Sequence, residues 1–528
     1  MITNISFWSE SVAFPLLTTL TFVPLVAMSV ILFSRSTAVA LGLGFAGTLL
    51  NLFLSFYLLS VFDPDKVGIQ LAEQEHFFGF TNYSVGVDGL SVLFIPLTAI
   101  LVLLILVYKL ITRQDTDWKF IACLLGYEAI LIGAFSALNV MQFWFWTLLE
   151  LLPVILLTHY AGTGQKKRWA ITCLVRYWGW GLLMTLTGFL LLSFGLVGSD
   201  AIPSFDWSTL KQNKALLQNG TLIFILLFCG FAIRMPLFPF HGWLPVLAEQ
   251  GSVASATVFL VGLKLGIYAT IRFILPLVTE VAEHWAGFVV VLSLIGIFYG
   301  ALLALMQINI RRLLAFAVIS HTGMLVIGIF CFNPHGLNGS IFLSLVYGLA
   351  SAGMLLSIGL IYKRTRTAFT PRLGGLFDSN ISVALLFFMA ALSTMVMPGT
   401  PGFDAAHLLI EGAIKEYGWL TAISILVGNV LAAAFLLIAF QHIFLTKAKR
   451  VIQQPSNNPY AAKIEPVIAV TICSLLIGIG FNTQPWLHFI EKVPNAITEH
   501  YHKHEEKHAS SPPPTLIDGR PIGNGKHD

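Results

Sequence analysis

The sequence predicts an all-α, polytopic membrane protein of about fourteen transmembrane helices that contains two five-helix repeats. Three observations carry this prediction. Composition is the first: the 528 residues are 56% hydrophobic and only 11% charged, against about 25% charged in ordinary soluble domains. Segment length is the second. A bilayer-spanning helix needs roughly 20 apolar residues, and fourteen segments meet that requirement, more than a soluble core could absorb. The third is the placing of proline and glycine, which interrupt the seventh and twelfth segments.

In order, the segments lie near 14–34, 37–62, 90–112, 118–138, 140–162, 170–197, 221–247, 253–274, 283–306, 311–332, 339–362, 379–414, 418–445 and 463–482. The stretch before the first has no Lys or Arg and contains Glu10, so it lacks the positive region of a cleaved signal peptide. The first helix is therefore expected to be retained. The interruptions fall at MPLFPFHGWLP in the seventh segment and at MPGTPGF (397–403) in the twelfth, five helices apart. Discontinuous helices at corresponding positions of two halves point to a transport site at the repeat interface. Residues 118–274 (helices four to eight) and 275–445 (helices nine to thirteen) are then the repeats. Three helices precede them (1–117), and a final helix (446–482) and a polar tail (483–528) follow.

Loop charge gives the orientation. Arg35, Arg113, Lys119, Lys166, Lys167, Arg168, Arg311, Arg312, Lys363, Arg364, Arg366, Arg372, Lys447, Lys449 and Arg450 follow odd-numbered helices. The other loops carry chiefly Lys66, Lys211, Lys214 and Arg272, and the longest is acidic. By the positive-inside rule the odd loops face the cytoplasm and both termini lie opposite. With basic residues so dispersed, nucleic acid is excluded as a partner. The five cysteines (Cys123, Cys173, Cys229, Cys331, Cys473) lie in apolar segments without metal spacing and read as buried, inert thiols. There is no phosphate loop, dinucleotide fingerprint, haem or iron–sulfur motif. No bound cofactor or metal is expected in this chain.

Residues 221–273 hold the chemistry. An apolar helix runs to Arg234 and meets Pro236, Pro239, Gly242 and Pro245; a second follows with Lys264 near its middle. Proline removes a backbone donor and clashes with the preceding turn, so the first helix must break. A break at membrane depth survives only inside protein or beside water. Arg234, His241 and Lys264 cluster at this one, and ionisable groups in a membrane default to ion or proton pathways.

The runs YSVGVDGLSVLF (83–94), FWFWTLLELLPV (143–154), FAIRMPLFPFHGWLP (231–245), GLKLGIYATIRF (262–273) and NIRRLLAFAVISHTG (309–323) resemble the antiporter-like M subunit of complex I. Respiratory bacteria call it NuoM and cyanobacteria NdhD. The resemblance covers roughly 80–445. It implies fourteen helices with the two five-helix repeats inverted and helices seven and twelve broken. It also implies a proton-translocating membrane subunit of an NAD(P)H- or ferredoxin-quinone oxidoreductase, beside L/F-type and N/B-type antiporter-like subunits. Several family positions differ here. The family's glutamate in the fifth helix aligns with Leu148, and Glu150 matches a second one two residues on. Two residues along a helix turn about 200°, so Glu150 faces elsewhere unless the helix is distorted. The family's seventh-helix lysine is Arg234, Lys264 is kept, Asn309 replaces an aspartate, and Ala406 replaces a glutamate, with Asp404, His407 and Glu411 around it; these three join Glu150, Arg234, His241, Lys264 and His321 as the expected proton-pathway residues.

Burial can lower a lysine's pKa far enough for it to relay protons, whereas arginine stays charged. Arg234 is therefore expected to be a fixed charge paired with Glu150 and biasing Lys264. His241 and His321 can titrate near neutral pH or serve only as hydrogen-bonding core residues; both readings stand. The stretch GTPGFDAAHLLIEGAI (399–414) resembles the D subunits of cyanobacterial complexes that drive CO2 uptake beside a CO2-hydration subunit. That form implies a thylakoid membrane; the respiratory form implies a bacterial inner membrane. Asp404 and His407 supply two ligands at most, and zinc needs three or four. An ordinary respiratory M subunit and a multi-subunit cation/proton antiporter are the alternatives. The tail, with His500, His502, His504 and His508, is expected to be disordered.

Overall fold

The computed structural model describes residues 5–78, 81–112, 117–195, 203–212, 219–251, 253–447, 459–499 and 501. Every predicted apolar segment is helical. The first three hold α1 (Leu16–Ser34), α2 (Thr37–Val61) and α3 (Phe94–Thr112). The next three hold α4 (Trp118–Ser136), α5 (Val140–Leu149) continuing into α6 (Leu151–Ala161), and α7 (Lys167–Gly195), with a short α8 (Trp207–Gln212) after it. The seventh is α9 (Gly220–Arg234) and α10 (Trp243–Gln250); the eighth is α11 (Val253–Ala269), which passes through a π-helical turn to α12 (Leu275–Leu277). Then come α13 (Thr279–Leu305), α14 (Ile310–Ile329), α15 (Pro334–Thr365) and the short α16 (Leu376–Ser379). The last are α17 (Ile381–Thr394) with α18 (Pro401–Tyr417), α19 (Trp419–Phe440), α20 (Pro459–Phe481) and α21 (Gln484–Ile490). Among the described residues ten helical spans are long and apolar enough to cross a bilayer, and α20 with α21, bent by 81°, can count as an eleventh.

Both interrupted segments close alike. Met235 N–H returns to Phe231 O at 2.8 Å and Leu237 N–H to Ala232 O at 2.9 Å; Met395 returns to Ala391 at 2.8 Å and Met397 to Leu392 at 3.1 Å. This five-back, four-back pair satisfies carbonyls that a helix end leaves open. The helix resumes at Trp243 in one case and at Pro401 in the other, where proline at the first position loses nothing. A second parallel is that α11 and α19 each end in a five-residue π-helical turn, Thr270–Ile274 and Gln441–Leu445.

The all-α expectation omits one feature. The acidic loop before α3 forms a small sheet with the order β1 (Ile5–Phe7), β2 (Ile69–Phe78), β3 (Thr81–Val87), in which β1 pairs parallel and β3 antiparallel to β2. Glu73 of β2 accepts hydrogen bonds from the Leu17 and Thr18 N–H groups at 2.7 and 3.0 Å. A strand carboxylate therefore caps α1, whose first-turn donors have no intrahelical partner.

The disordered-tail expectation fails in its first part. After α21, residues 492–499 are helical and packed. Phe489 stacks on Phe62 at 5.9 Å, and the Tyr501 hydroxyl donates to Leu275 O at 2.9 Å. Apolar residues spaced along 485–501 drive this, since Ile490, Val493, Ile497 and Tyr501 are buried. The His-rich stretch from His500 onward, apart from Tyr501, lies outside the described residues. Of the cysteines only Cys331 is fully buried; the others are half-buried on helices.

Burial differs sharply among the helices. The apolar window of α15 is 100% inside the protein and that of α14 is 94%, as expected of helices apolar on every side. α1, α2, α7, α13 and α19 turn broad apolar faces outward. The polar residues discussed next lie between these layers.

Candidate functional site

Glu150 stands at the junction of α5 and α6. Pro153 has no N–H to offer the carbonyl four residues back, at Leu149, and the helix loosens there. That is the local distortion Glu150 needs to turn inward. It forms an ion pair with Arg234, the last residue of α9, and accepts a 2.8 Å hydrogen bond from the Tyr127 hydroxyl of α4. Glu150 is 0% and Arg234 8% exposed, so both charges have left solvent and depend on each other. The guanidinium lies 4.3 Å from the Trp178 ring centroid and donates to Gly262 O at 3.3 Å. Gly262 must be glycine for this: a Cβ there would lie 2.3 Å from the Tyr127 hydroxyl and 2.4 Å from Glu150 Oε1.

Two residues further along α11 is Lys264, buried in mid-helix. Among the described residues it takes part in none of the ion pairs. Its Nζ lies 5.9 Å from the Tyr347 ring on α15. The other neighbour of Tyr347 is His321 of α14, with ring centroids 4.4 Å apart and planes at 21°. His321 Nε2 and the Tyr347 hydroxyl are both buried without a hydrogen-bond partner, which is uncommon for buried polar atoms. Glu150, Arg234, Lys264 and His321 are thus brought into one buried row, with Tyr127, Trp178 and Tyr347 as members that sequence reasoning missed. Aromatic residues are common in these apolar segments and gave no distinguishing signal.

The other candidates lie elsewhere. His241 sits in the turn between α9 and α10, nearly buried, with its ring 5.8 Å from Phe238 and 5.0 Å from Tyr299. Asp404, His407 and Glu411 are not brought to the row. Asp404, half-buried in the first turn of α18, accepts from the Thr483 hydroxyl. His407 is exposed. Glu411 pairs with Lys415 at 2.9 Å and lies 3.4 Å from His335. The residue of α18 that does face inward is Ala406, 1% exposed. The expectation that these three polar groups join the proton pathway is corrected by the helix's own geometry: positions i, i+3 and i+7 share one face, here the outer one.

Two further buried groups act as fasteners. Arg272 donates to both oxygens of Asp88 at 2.6 and 2.7 Å, joining the end of α11 to the chain before α3. Arg311 of α14 donates to Thr163 Oγ1 at 2.6 Å, where α14 meets the loop after α6. Asn309 keeps a structural task, accepting from Arg311 N–H at 3.0 Å as the cap of α14.

Known proteins resemble this arrangement over most of its length. Residues 137–432 match the family described as NADH:quinone oxidoreductase/Mrp antiporter, transmembrane. The NADH-quinone oxidoreductase subunit M of Rhodobacter capsulatus is 30% identical over 489 residues, 88% of this chain and 93% of that one. A chain of respiratory complex I from Thermus thermophilus superposes with a TM-score of 0.81 at 25% identity, over 92% of this chain and 99% of that one. The Mrp complex of Dietzia sp. shares the fold, with a TM-score of 0.81 at 19% identity over 93% of this chain and 99% of that one.

Proposed function

Because the chain belongs to the NADH:quinone oxidoreductase/Mrp antiporter transmembrane family, we propose that it is the antiporter-like M subunit of a complex I-type quinone oxidoreductase. In this reading it moves protons through Lys264. The observation that carries the proposal is a buried lysine set between a closed Arg234–Glu150 pair and the Tyr347–His321 stack. Lysine can release its proton when desolvated, and arginine cannot. Arg234 therefore works as a fixed charge. While Glu150 holds it, its field at Lys264 is largely cancelled; when the pair opens, the uncompensated cation drives the Lys264 proton toward Tyr347 and His321. Electron transfer belongs to companion subunits, and this chain holds no redox group of its own.

A second reading is the CO2-uptake form of the same subunit. It is favoured by Ala406, which leaves α18 without an acidic side chain facing the interior where relatives place a glutamate. Purification of the intact membrane assembly, identification of its companions and measurement of quinone-linked proton transport decide between them. L/F-type and N/B-type companions with quinone activity support the respiratory M subunit. A CO2-hydration companion supports the second reading. An assembly of small antiporter subunits without quinone activity overturns both.

A further inference from the structure

Glu128 of α4 lies off the row just described. It is 0% exposed, as is Asn51 of α2, and Asn51 Nδ2 donates to Glu128 Oε1 at 2.9 Å. The other oxygen of each group, Glu128 Oε2 and Asn51 Oδ1, is buried without a partner. A carboxylic acid facing a primary amide exchanges two hydrogen bonds, N–H to one carbonyl oxygen and O–H to the other. One of the two is present here, and the second would join the two oxygens that are left without a partner. A carboxylate could make only the first, because both remaining atoms would then be acceptors.

Among the described residues Glu128 makes no ion pair: Asn51 holds its Oε1 and its Oε2 has no partner. Within α4 itself the other titratable groups are Lys119, Cys123 and Tyr127. The elements packed against α4 are α1, α2, α3, α5, α6, α11 and β3. α1 and α5 have no ionisable side chain, α2 has only Tyr57, and β3 has Tyr83, which is bonded to Thr18. Tyr108 and Lys109 are near the end of α3, and Lys109 lies 4.2 Å from the ring of Phe120, eight residues before Glu128. His159 and Tyr160 close α6. α11 carries Lys264 and Tyr268; it meets α4 at Tyr127, whose hydroxyl donates to Glu150, through Gly262, and at Phe135, whose ring centroid lies 5.4 Å from that of the uncharged Tyr268.

We infer that Glu128 and Asn51 form a second proton-binding site, in which Glu128 Oε2 carries a resident proton donated to Asn51 Oδ1. The ligand is the proton itself, held between the three N-terminal helices and the first repeat, apart from Lys264. Infrared difference spectroscopy on the purified complex at neutral pH tests this without any activity measurement, so its outcome is independent of the proposed function. Wild type minus Glu128→Gln should show a protonated-carboxyl stretch that shifts in D2O. Asn51→Leu should keep the band and move it to higher frequency, because the carboxyl then loses the amide donor. Should Glu128→Gln fail to assemble, the Asn51→Leu shift alone decides. A difference spectrum with only ionised carboxylate bands, or no shift in Asn51→Leu, overturns the inference. So does a band that vanishes when sodium is added at constant pH, which would make the pair a metal-cation site.

Discussion

Lys264 and Arg234 are both cations buried in apolar helices, yet they demand different experiments. A lysine at the centre of a membrane helix costs about 2.5–3.5 kcal/mol to insert, so removing it should not hinder assembly. Lys264→Met keeps the length and loses the titrating amine. The expected result is an intact complex, seen by native electrophoresis, with proton-coupled activity abolished; normal activity would reduce Lys264 to a packing residue. Arg234→Gln leaves Glu150 buried without its partner, and breaking one member of a buried pair costs roughly 3–5 kcal/mol. Arg234→Lys keeps the charge and should retain much of the stability. Thermal unfolding of Arg234→Gln, Glu150→Gln and the double variant should show the double less damaged than the sum of the singles. Strict additivity would break the assigned pair.

At the scale of elements, the contact of α11 with α4 and with the α5–α6 junction is set by one missing methyl group. Gly262→Ala places a Cβ against the Tyr127 hydroxyl and Glu150, and overpacking of this kind costs typically about 1–3 kcal/mol. The expected variant assembles with lowered thermal stability and strongly reduced proton transfer; unchanged transfer would mean that Tyr127, Glu150 and Gly262 need not be close. The helices and both breaks were legible because bilayer length and proline chemistry act locally. So was the Arg234–Glu150 pairing, once Pro153 is seen to loosen the helix at Leu149. The sheet was not legible: β2 and β3 are partly polar, and tertiary pairing sets their register. Asp404, His407 and Glu411 were misassigned: their nearness to the second break was weighed, but their spacing, which sets all three on the outer face of α18, was not. Glu128 was passed over inside the apolar run 118–138, where nothing local marks it out, since its partner lies 77 positions away.

For the whole molecule, the charged loops predict an orientation in the membrane. Lys166, Lys167 and Arg168, with the 363–372 loop, should face the cytoplasm, and the β2–β3 sheet the opposite side. Single cysteines introduced in these segments and tested with a membrane-impermeant thiol reagent should label accordingly; labelling of the 363–372 loop from the far side would invert the orientation.

The C-terminal segment has a bearing on how the chain is made. Nascent domains generally form from the amino end as synthesis proceeds. Yet the chain before α3 at Gly89 rests against the backbone of Phe489 and Ile490, and Leu275 O waits for the hydroxyl of Tyr501. These surfaces stay open until the ribosome has delivered residues 489–501, long after both broken helices have emerged. A chain stopped after residue 482 should therefore insert but remain recognisable to quality-control proteases as unfinished, with faster turnover in a pulse-chase measurement. A turnover equal to that of the full chain would mean that the earlier helices lock without their closing piece.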